Sequence, residues 1–377
     1  MKTALDYASE LIRFDSVSSV SNVAVTDCVD ESLKSLGFET ERVNYIDRRG
    51  VPKSNVIGKR GSGTGGLAYF GHTDVVPARN WKFSDQGPFE PTVREGKLFG
   101  RGSTDMKGSV ACMLAAAAQL ADRKLREPIY ICCTADEETG MVGAEQVAAN
   151  SQLYREIVSG QSRSIIGEPT RLEVVHGHKG GTAATITSRG IAAHSSMNKG
   201  INANWKMIPF LNTMKEIYAE LESDPQWRNN EFDPPTMSLN IGINDHTPAI
   251  NITAPQSVCT VYFRAMPGID VDPLIQRIEA AAAENELELE YQFRATPFYV
   301  PAESPFVQEC LEFSSVKKPR TVAYGTDAAR FGELERCVIF GPGDIAQAHT
   351  HDEWVLLEDL ERGTDVYRRM AEAWCCS

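Results

Sequence analysis

Side chains of metal-ligating type recur where apolar segments of this sequence end. The run LAYF passes into Gly71-His72-Thr73-Asp74, and residues two apart on an extended chain face the same way. A histidine whose second ring nitrogen meets a carboxylate is a familiar metal-site pairing, with Asp74 placed to orient His72. The HxD pattern by itself equally describes an ordinary turn histidine. GRGSTDMKGS sets Asp105 at a helix start after a glycine-rich loop, where it can cap the helix or bridge two cations. TADEETGMVGAE places Asp136, Glu137 and Glu138 directly after the apolar IYICC. Acids in a first helical turn complement the helix dipole. Three like charges in a row repel, however, unless something neutralises them. Beside His72 and Asp105, the economical reading makes Glu138 a ligand and Glu137 a general base. IIGEPT brings Glu168, and FGPGDIAQAHTHDEW brings His349, to the ends of further apolar strands. Either residue alone reads equally well as a solvated loop side chain.

The common placement gives the set its weight, because in open α/β sheets sites form at the carboxyl edge of the strands. His72, Asp105, Glu138, Glu168 and His349 offer two nitrogen and three oxygen ligands. That mixture suits zinc, cobalt or manganese better than calcium, and its carboxylates suffice for two ions. Other motif matches fail. GSGTGG (Gly61 to Gly66) fits GxGxxG but leads into a strand instead of a helix. Ser314 to Lys317 fits SxxK among surface-type residues. His176 and His178 flank an apparent domain junction and read as hinge or surface residues.

The elements that must position these residues alternate through the first half. Helical periods cover about residues 3–15 and 22–36, followed by strands ETERVNYI and SNVIGKR. Then come GGLAYFGHTDVV, a helix through VACMLAAAAQLADRK, strand IYICCTAD, helix EETGMVGAEQVAAN and strand SIIGEP. This order predicts a mostly parallel mixed sheet with helices on both faces. From His176 to about 292 the order becomes βαββαβ, the ferredoxin-like signature of a smaller α+β domain. After 293 the α/β texture returns, ending in the helix LEDLERGTDVYRRMAEAW. The expected organisation is 1–176, then an inserted domain at 177–292, then 293–377.

Composition limits the rest. At 377 residues, with 42% hydrophobic and 24% charged, the chain suits a soluble protein of two domains. No apolar run approaches the roughly 18–20 residues of a membrane span. The amphipathic, acid-bearing start reads as a helix and not a signal peptide, so a cytoplasmic location is expected. Nine cysteines without a CxxC pair fit reduced, buried thiols. A net charge of −13 with no basic stripe excludes nucleic acid as a partner, and bound cations would offset part of it.

In combination, GHTDVVP, GRGSTDMKG, TADEETGMVGA, IIGEPT and GPGDIAQAH resemble the zinc-dependent deacylase and exopeptidase family. That family includes acetylornithine deacetylase, succinyl-diaminopimelate desuccinylase, aminoacylase and glutamate carboxypeptidase, and the resemblance spans nearly the whole chain. ADEET, IGEPT, HGHKG and AHSS are similar to the acetylornithine deacetylases in particular. The resemblance implies two zinc ions, with cobalt or manganese as substitutes, and Asp105 bridging them. It puts His72 and Glu168 on one ion, Glu138 and His349 on the other, with Asp74 orienting His72 and Glu137 as the base. It implies that the inserted domain is a lid that forms a homodimer, and that His194 reaches an active site to stabilise an oxyanion. Asn251, Arg264, Gly325 and Thr326 match substrate-contacting positions. The implied substrate is a small N-acyl amino acid, N2-acetylornithine first, as in arginine biosynthesis. A succinylated diaminopimelate, another acetylated amino acid or a dipeptide stays open. One departure is His351, where the family usually reads AHxxDE. His349 keeps the expected spacing to Asp352-Glu353.

Overall fold

The computed structural model describes residues 1–247 and 249–376. The chain divides into two compact units. One comprises Met1–Gly177, Tyr299–Arg320 and Thr326–Ser377, and the other His178–Phe298 with Thr321–Gly325.

The first unit opens with α1 (Ala4–Ile12) and α2 (Val23–Ser35). A capping box starts α1: Thr3 Oγ1 accepts from the Asp6 N–H while the Asp6 carboxylate accepts from the Thr3 N–H. The hairpin β1 (Glu39–Ile46) and β2 (Pro52–Arg60) precedes β3 (Leu67–His72), the short β4 (Thr92–Arg94) and β5 (Lys97–Phe99), then α3 (Lys107–Gln119). Next come β6 (Ile129–Thr134), α4 (Val142–Asn150), α5 (Gln152–Ser159), β7 (Arg163–Ile166) and β8 (Val175–His178). Strands β6, β3, β7 and, from the later chain, Cys337–Ile339 lie side by side and parallel. Antiparallel β2 and β1 extend this centre on one side. Strands β3 and β6 are buried at every position, as strands covered on both faces must be. Helix α3 is built mostly of small and apolar residues and is buried from Lys107 to Ala118, packed against β3, α1 and α9.

The second unit runs β9 (Gly181–Arg189), α6 (Asn204–Ser223), β10 (Ser238–Asn244), β11 (Gln256–Arg264), α7 (Asp272–Glu284) and β12 (Glu288–Ala295). Its sheet order is β10-β11-β9-β12 with every neighbour antiparallel, the ferredoxin-like arrangement. Met207, Phe210, Met214, Ile217 and Leu221 form the buried stripe of α6, and Leu274, Ile275 and Ile278 that of α7. Both stripes share a core with Ile186, Val261 and Phe263 of the sheet. At the sheet edge, β10 leaves Ile241 and Ile243 exposed.

The chain then continues through β13 (Phe298–Tyr299), α8 (Pro305–Leu311), β14 (Arg320–Val322), β15 (Cys337–Ile339), β16 (Trp354–Leu356) and α9 (Leu357–Cys375). Strand β16 pairs with β5, and β5 with β4, in a separate three-stranded sheet. One expected helix is broken. EETGMVGAEQVAAN forms a 3-10 turn at Glu137–Thr139, then left-handed Gly140 and Met141, before α4 begins. Among the described residues no helix is long and apolar enough to cross a membrane.

Candidate metal centre

Four adjacent parallel strands deliver most of the candidate ligands. His72 is the last residue of β3, Glu138 sits in the 3-10 turn after β6, and Glu168 follows β7 by two residues. His349 lies on the loop after β15, with a left-handed backbone (φ 63°). The carboxyl ends of parallel strands share one edge of the sheet, which gathers these side chains there. Asp105 differs. It comes from the loop between β5 and α3, and α3 takes Met106 as its N-cap with no side-chain cap bond. The helix-capping alternative for Asp105 is therefore not realised.

Two triads result, His72–Asp105–Glu168 and Asp105–Glu138–His349, each with ligand atoms within 4.8 Å of one another. His72 Nε2 is 3.0 Å from Asp105 Oδ1 and 3.8 Å from Glu168 Oε1. His349 Nε2 is 3.4 Å from Asp105 Oδ2 and 3.1 Å from Glu138 Oε2. Ligand bonds of about 2.0–2.2 Å in a tetrahedron put ligand atoms about 3.3–3.6 Å apart, so these separations fit a metal ion in each triad. The two oxygens of Asp105 face different histidines, the shape of a bridging carboxylate.

The orientation of His72 points the same way. Its Nδ1 meets the Asp74 main-chain carbonyl at 2.9 Å, and a carbonyl can only accept, so Nδ1 carries hydrogen there. Nε2 then faces the Asp105 carboxylate at 3.0 Å and needs a positive group between them, a proton or a metal ion. Burial and the charge of Asp105 push the Glu138 carboxyl up to about 7. Burial also raises Glu137 and Glu168 well above the ordinary carboxylate range, with their acidic neighbours adding to it. Burial alone would lower His72, but its bond to Asp105 and the nearby Glu168 raise it well above its usual value. Hydrogen bonds to Asp105 and Glu138 push His349 up to about 10. Asp105 resists burial because both histidines hold it far below the usual range. The cluster holds more negative charge than its two histidines balance.

Asp74, expected to orient His72, meets its ring nitrogen through the main chain. Its carboxylate is 3.7 Å from His72 Nδ1, while the main-chain carbonyl holds that nitrogen. The carboxylate instead accepts from Ser18 Oγ at 2.7 Å and from the N–H groups of Glu137 and Glu138 at 3.2 and 3.4 Å. It thus fixes the turn that carries the two glutamates. Asp136, the first acid of the three, is left-handed (φ 56°) and bound by Lys53 Nζ at 2.6 Å and the Tyr45 hydroxyl at 2.8 Å. Sequence reasoning missed Lys53, Tyr45 and Glu353. In the sequence Glu353 serves only to mark the spacing from His349.

Other candidates are placed as follows. His194 and Asn251 are exposed on the second unit, joined where the Ser195 N–H donates to the Asn251 carbonyl at 2.8 Å. His194 Nδ1 lies 2.8 Å from Ser196 Oγ. Arg264 ends β11 with its guanidinium over the Tyr262 ring. Gly325 closes a short segment of that unit, and the buried Thr326 caps a 3-10 turn through the Ala328 N–H. His176 and His178 are buried, against the surface reading. His176 Nδ1 faces the Val300 carbonyl and His178 Nδ1 the Lys179 carbonyl, both at 2.8 Å. Burial pushes His178 down to about 4. His351 is exposed. All nine cysteines are free thiols, eight of them buried.

Comparison with known proteins adds four findings. The sequence profile of peptidase family M20/M25/M40 matches residues 68–373. An acetylornithine deacetylase from Myxococcus xanthus is 32% identical, over 97% of this chain and 96% of its own. In structure the chain resembles the M20 family metallo-carboxypeptidase Sso-CP2 from Sulfolobus solfataricus (TM-score 0.77, 15% identity, 99% of each chain). It also resembles the Bacillus subtilis YXEP protein, described as a dinuclear metal binding peptidase (TM-score 0.63, 14% identity, 98% and 96% covered).

Proposed function

Because the chain belongs to peptidase family M20/M25/M40 and is a hydrolytic enzyme acting on amides, we propose that it deacylates an N-acyl amino acid, N2-acetylornithine first, using two zinc ions. The observation that carries the chemistry is the pair of triads sharing Asp105, beside Glu137. The substrate rests on the full-length similarity to acetylornithine deacetylases. His72 and Glu168 would hold one ion, Glu138 and His349 the other, and Asp105 both. Cobalt or manganese would satisfy the same donors.

When bound, the ions supply Lewis acidity toward the attacking water and the scissile carbonyl. Glu137 takes the proton of that water and passes it to the leaving amine, a role its raised affinity for protons suits. Asp74 keeps Glu137 and Glu138 in register through their N–H groups. His194 donates to the developing oxyanion, and Asn251, Arg264, Gly325 and Thr326 receive the amino-acid part, Arg264 by pairing with a carboxylate. A homodimer through the second unit, a cytoplasmic location and a place in arginine biosynthesis belong to the same proposal.

A turnover panel on zinc-loaded protein tests it. Acetylornithine should outpace dipeptides and succinyl-diaminopimelate in kcat/KM. A preference for dipeptides would replace this reading with the exopeptidase one, which the fold of Sso-CP2 accommodates equally well.

A further inference from the structure

Asp105 is the one member of both triads that no strand of the parallel sheet delivers, so something else must hold it. The structure shows Glu353 doing so. Glu353 is fully buried and lies four residues beyond His349. Its Oε1 accepts the N–H groups of Thr104 and Asp105, at 2.9 and 3.0 Å. Its Oε2 accepts the Gly102 N–H at 3.0 Å and Arg101 Nη1 at 2.6 Å.

The same two stretches are joined again around this carboxylate. Arg101 Nη2 donates to the Thr350 carbonyl at 2.9 Å, and the Gly100 N–H to the Glu353 carbonyl at 3.1 Å. The Thr104 hydroxyl donates to the Trp354 carbonyl at 2.6 Å. Gly102 turns the loop at φ 84°, a conformation that favours glycine. The N–H groups just ahead of α3, which has no side-chain cap, thus find their acceptor on the segment that carries His349.

We propose that Glu353, supported by Arg101, is a positioning residue of the metal centre. It fixes Asp105 between the two triads and ties that aspartate to His349. This rests on the two-cation reading above. Glutamate is specifically required, since four donors converge on its two oxygens. A glutamine has one acceptor oxygen, and its NH2 would confront either Arg101 and Gly102 or Thr104 and Asp105. Buried donors left facing a donor displace the loop or lose their bond.

The test titrates metal-free protein with Zn(II), and separately with Co(II) read by visible absorption, for wild type, Glu353→Gln and Arg101→Gln. Wild type should take two equivalents. Glu353→Gln should bind at least one of them about 10- to 100-fold more weakly, with an altered Co(II) spectrum. Arg101→Gln should show a smaller change in the same direction. Circular dichroism and melting of the metal-free proteins establish that each is folded, and if Glu353→Gln does not fold, Arg101→Gln decides by the same criteria. A folded variant with wild-type affinities and spectrum overturns the proposal and leaves Glu353 a purely structural role. Fewer than two equivalents in wild type would instead overturn the two-cation reading, and this proposal with it.

Discussion

Glu137 unites what a general base needs: a mostly buried carboxyl raised by its surroundings, on a turn pinned by Asp74. Glu137→Ala should cut kcat by about 10²- to 10⁴-fold while two cations remain bound, as metal analysis and kinetics on one preparation would show. An active variant would mean the base lies elsewhere. The neighbouring Asp136 depends on Lys53, both side chains being buried. Lys53→Met should destabilise the fold by about 3–5 kcal/mol, because a buried carboxylate loses its cation, and urea denaturation measures it. Four of the five ligand-type residues were readable because they stand beyond apolar runs, a local signal, and Asp105 because it stands at a helix start after a glycine-rich loop. Their supports were not. Lys53 and Tyr45 stand 83 and 91 residues from Asp136, and such pairing leaves no trace in spacing. For Asp74 the sequence indicated a carboxylate near His72, but not that the main-chain carbonyl would take the ring nitrogen.

Among the elements, β10 is the one with the plainest consequence. Among the described residues β10 is an edge strand, and its exposed Ile241 and Ile243 offer apolar side chains and a backbone edge to another copy. If the homodimer forms along this edge, Ile243→Lys should convert it to monomer in sedimentation velocity without unfolding it. An unchanged dimer would place the interface elsewhere. The long periodic helices and the apolar strands were legible, and so was the ferredoxin-like order from β9 to β12, because each carries a full period of burial. Strands β4, β5 and β16 have three residues each, too few to show alternation. They nonetheless build the small sheet that brings Glu353 beside the Asp105 loop. The break after Glu137–Thr139 was also hidden, since Gly140 and Met141 interrupt a pattern that otherwise reads as one helix.

For the whole molecule, a net charge of −13 and a carboxylate-rich centre make stability depend on what neutralises that centre. In the metal-free protein burial and the charge of Asp105 push the Glu138 carboxyl up to about 7, and burial raises Glu137 and Glu168 well above the ordinary carboxylate range. An acid whose pKa rises on folding favours the fold while protonated. That contribution is full below about pH 4.5 and is lost as pH climbs through about 7. The raised histidines act with the same sign at higher pH, His349 up to about 10. The melting temperature of metal-free protein should therefore fall between pH 5 and pH 8, and cations should flatten the profile by replacing protons. A profile that rises over this interval would contradict the argument. The two histidines of the centre also differ in their access to water: the His72 side chain is 1% exposed and that of His349 53%. With the ions bound as proposed, a competing chelator would meet the ligand His349 from solution, while the ligand His72 is buried at the end of β3. Loss of metal should then proceed in two kinetic phases, the fast one sparing a singly occupied enzyme, and the order of departure would be written in which histidine faces the solvent.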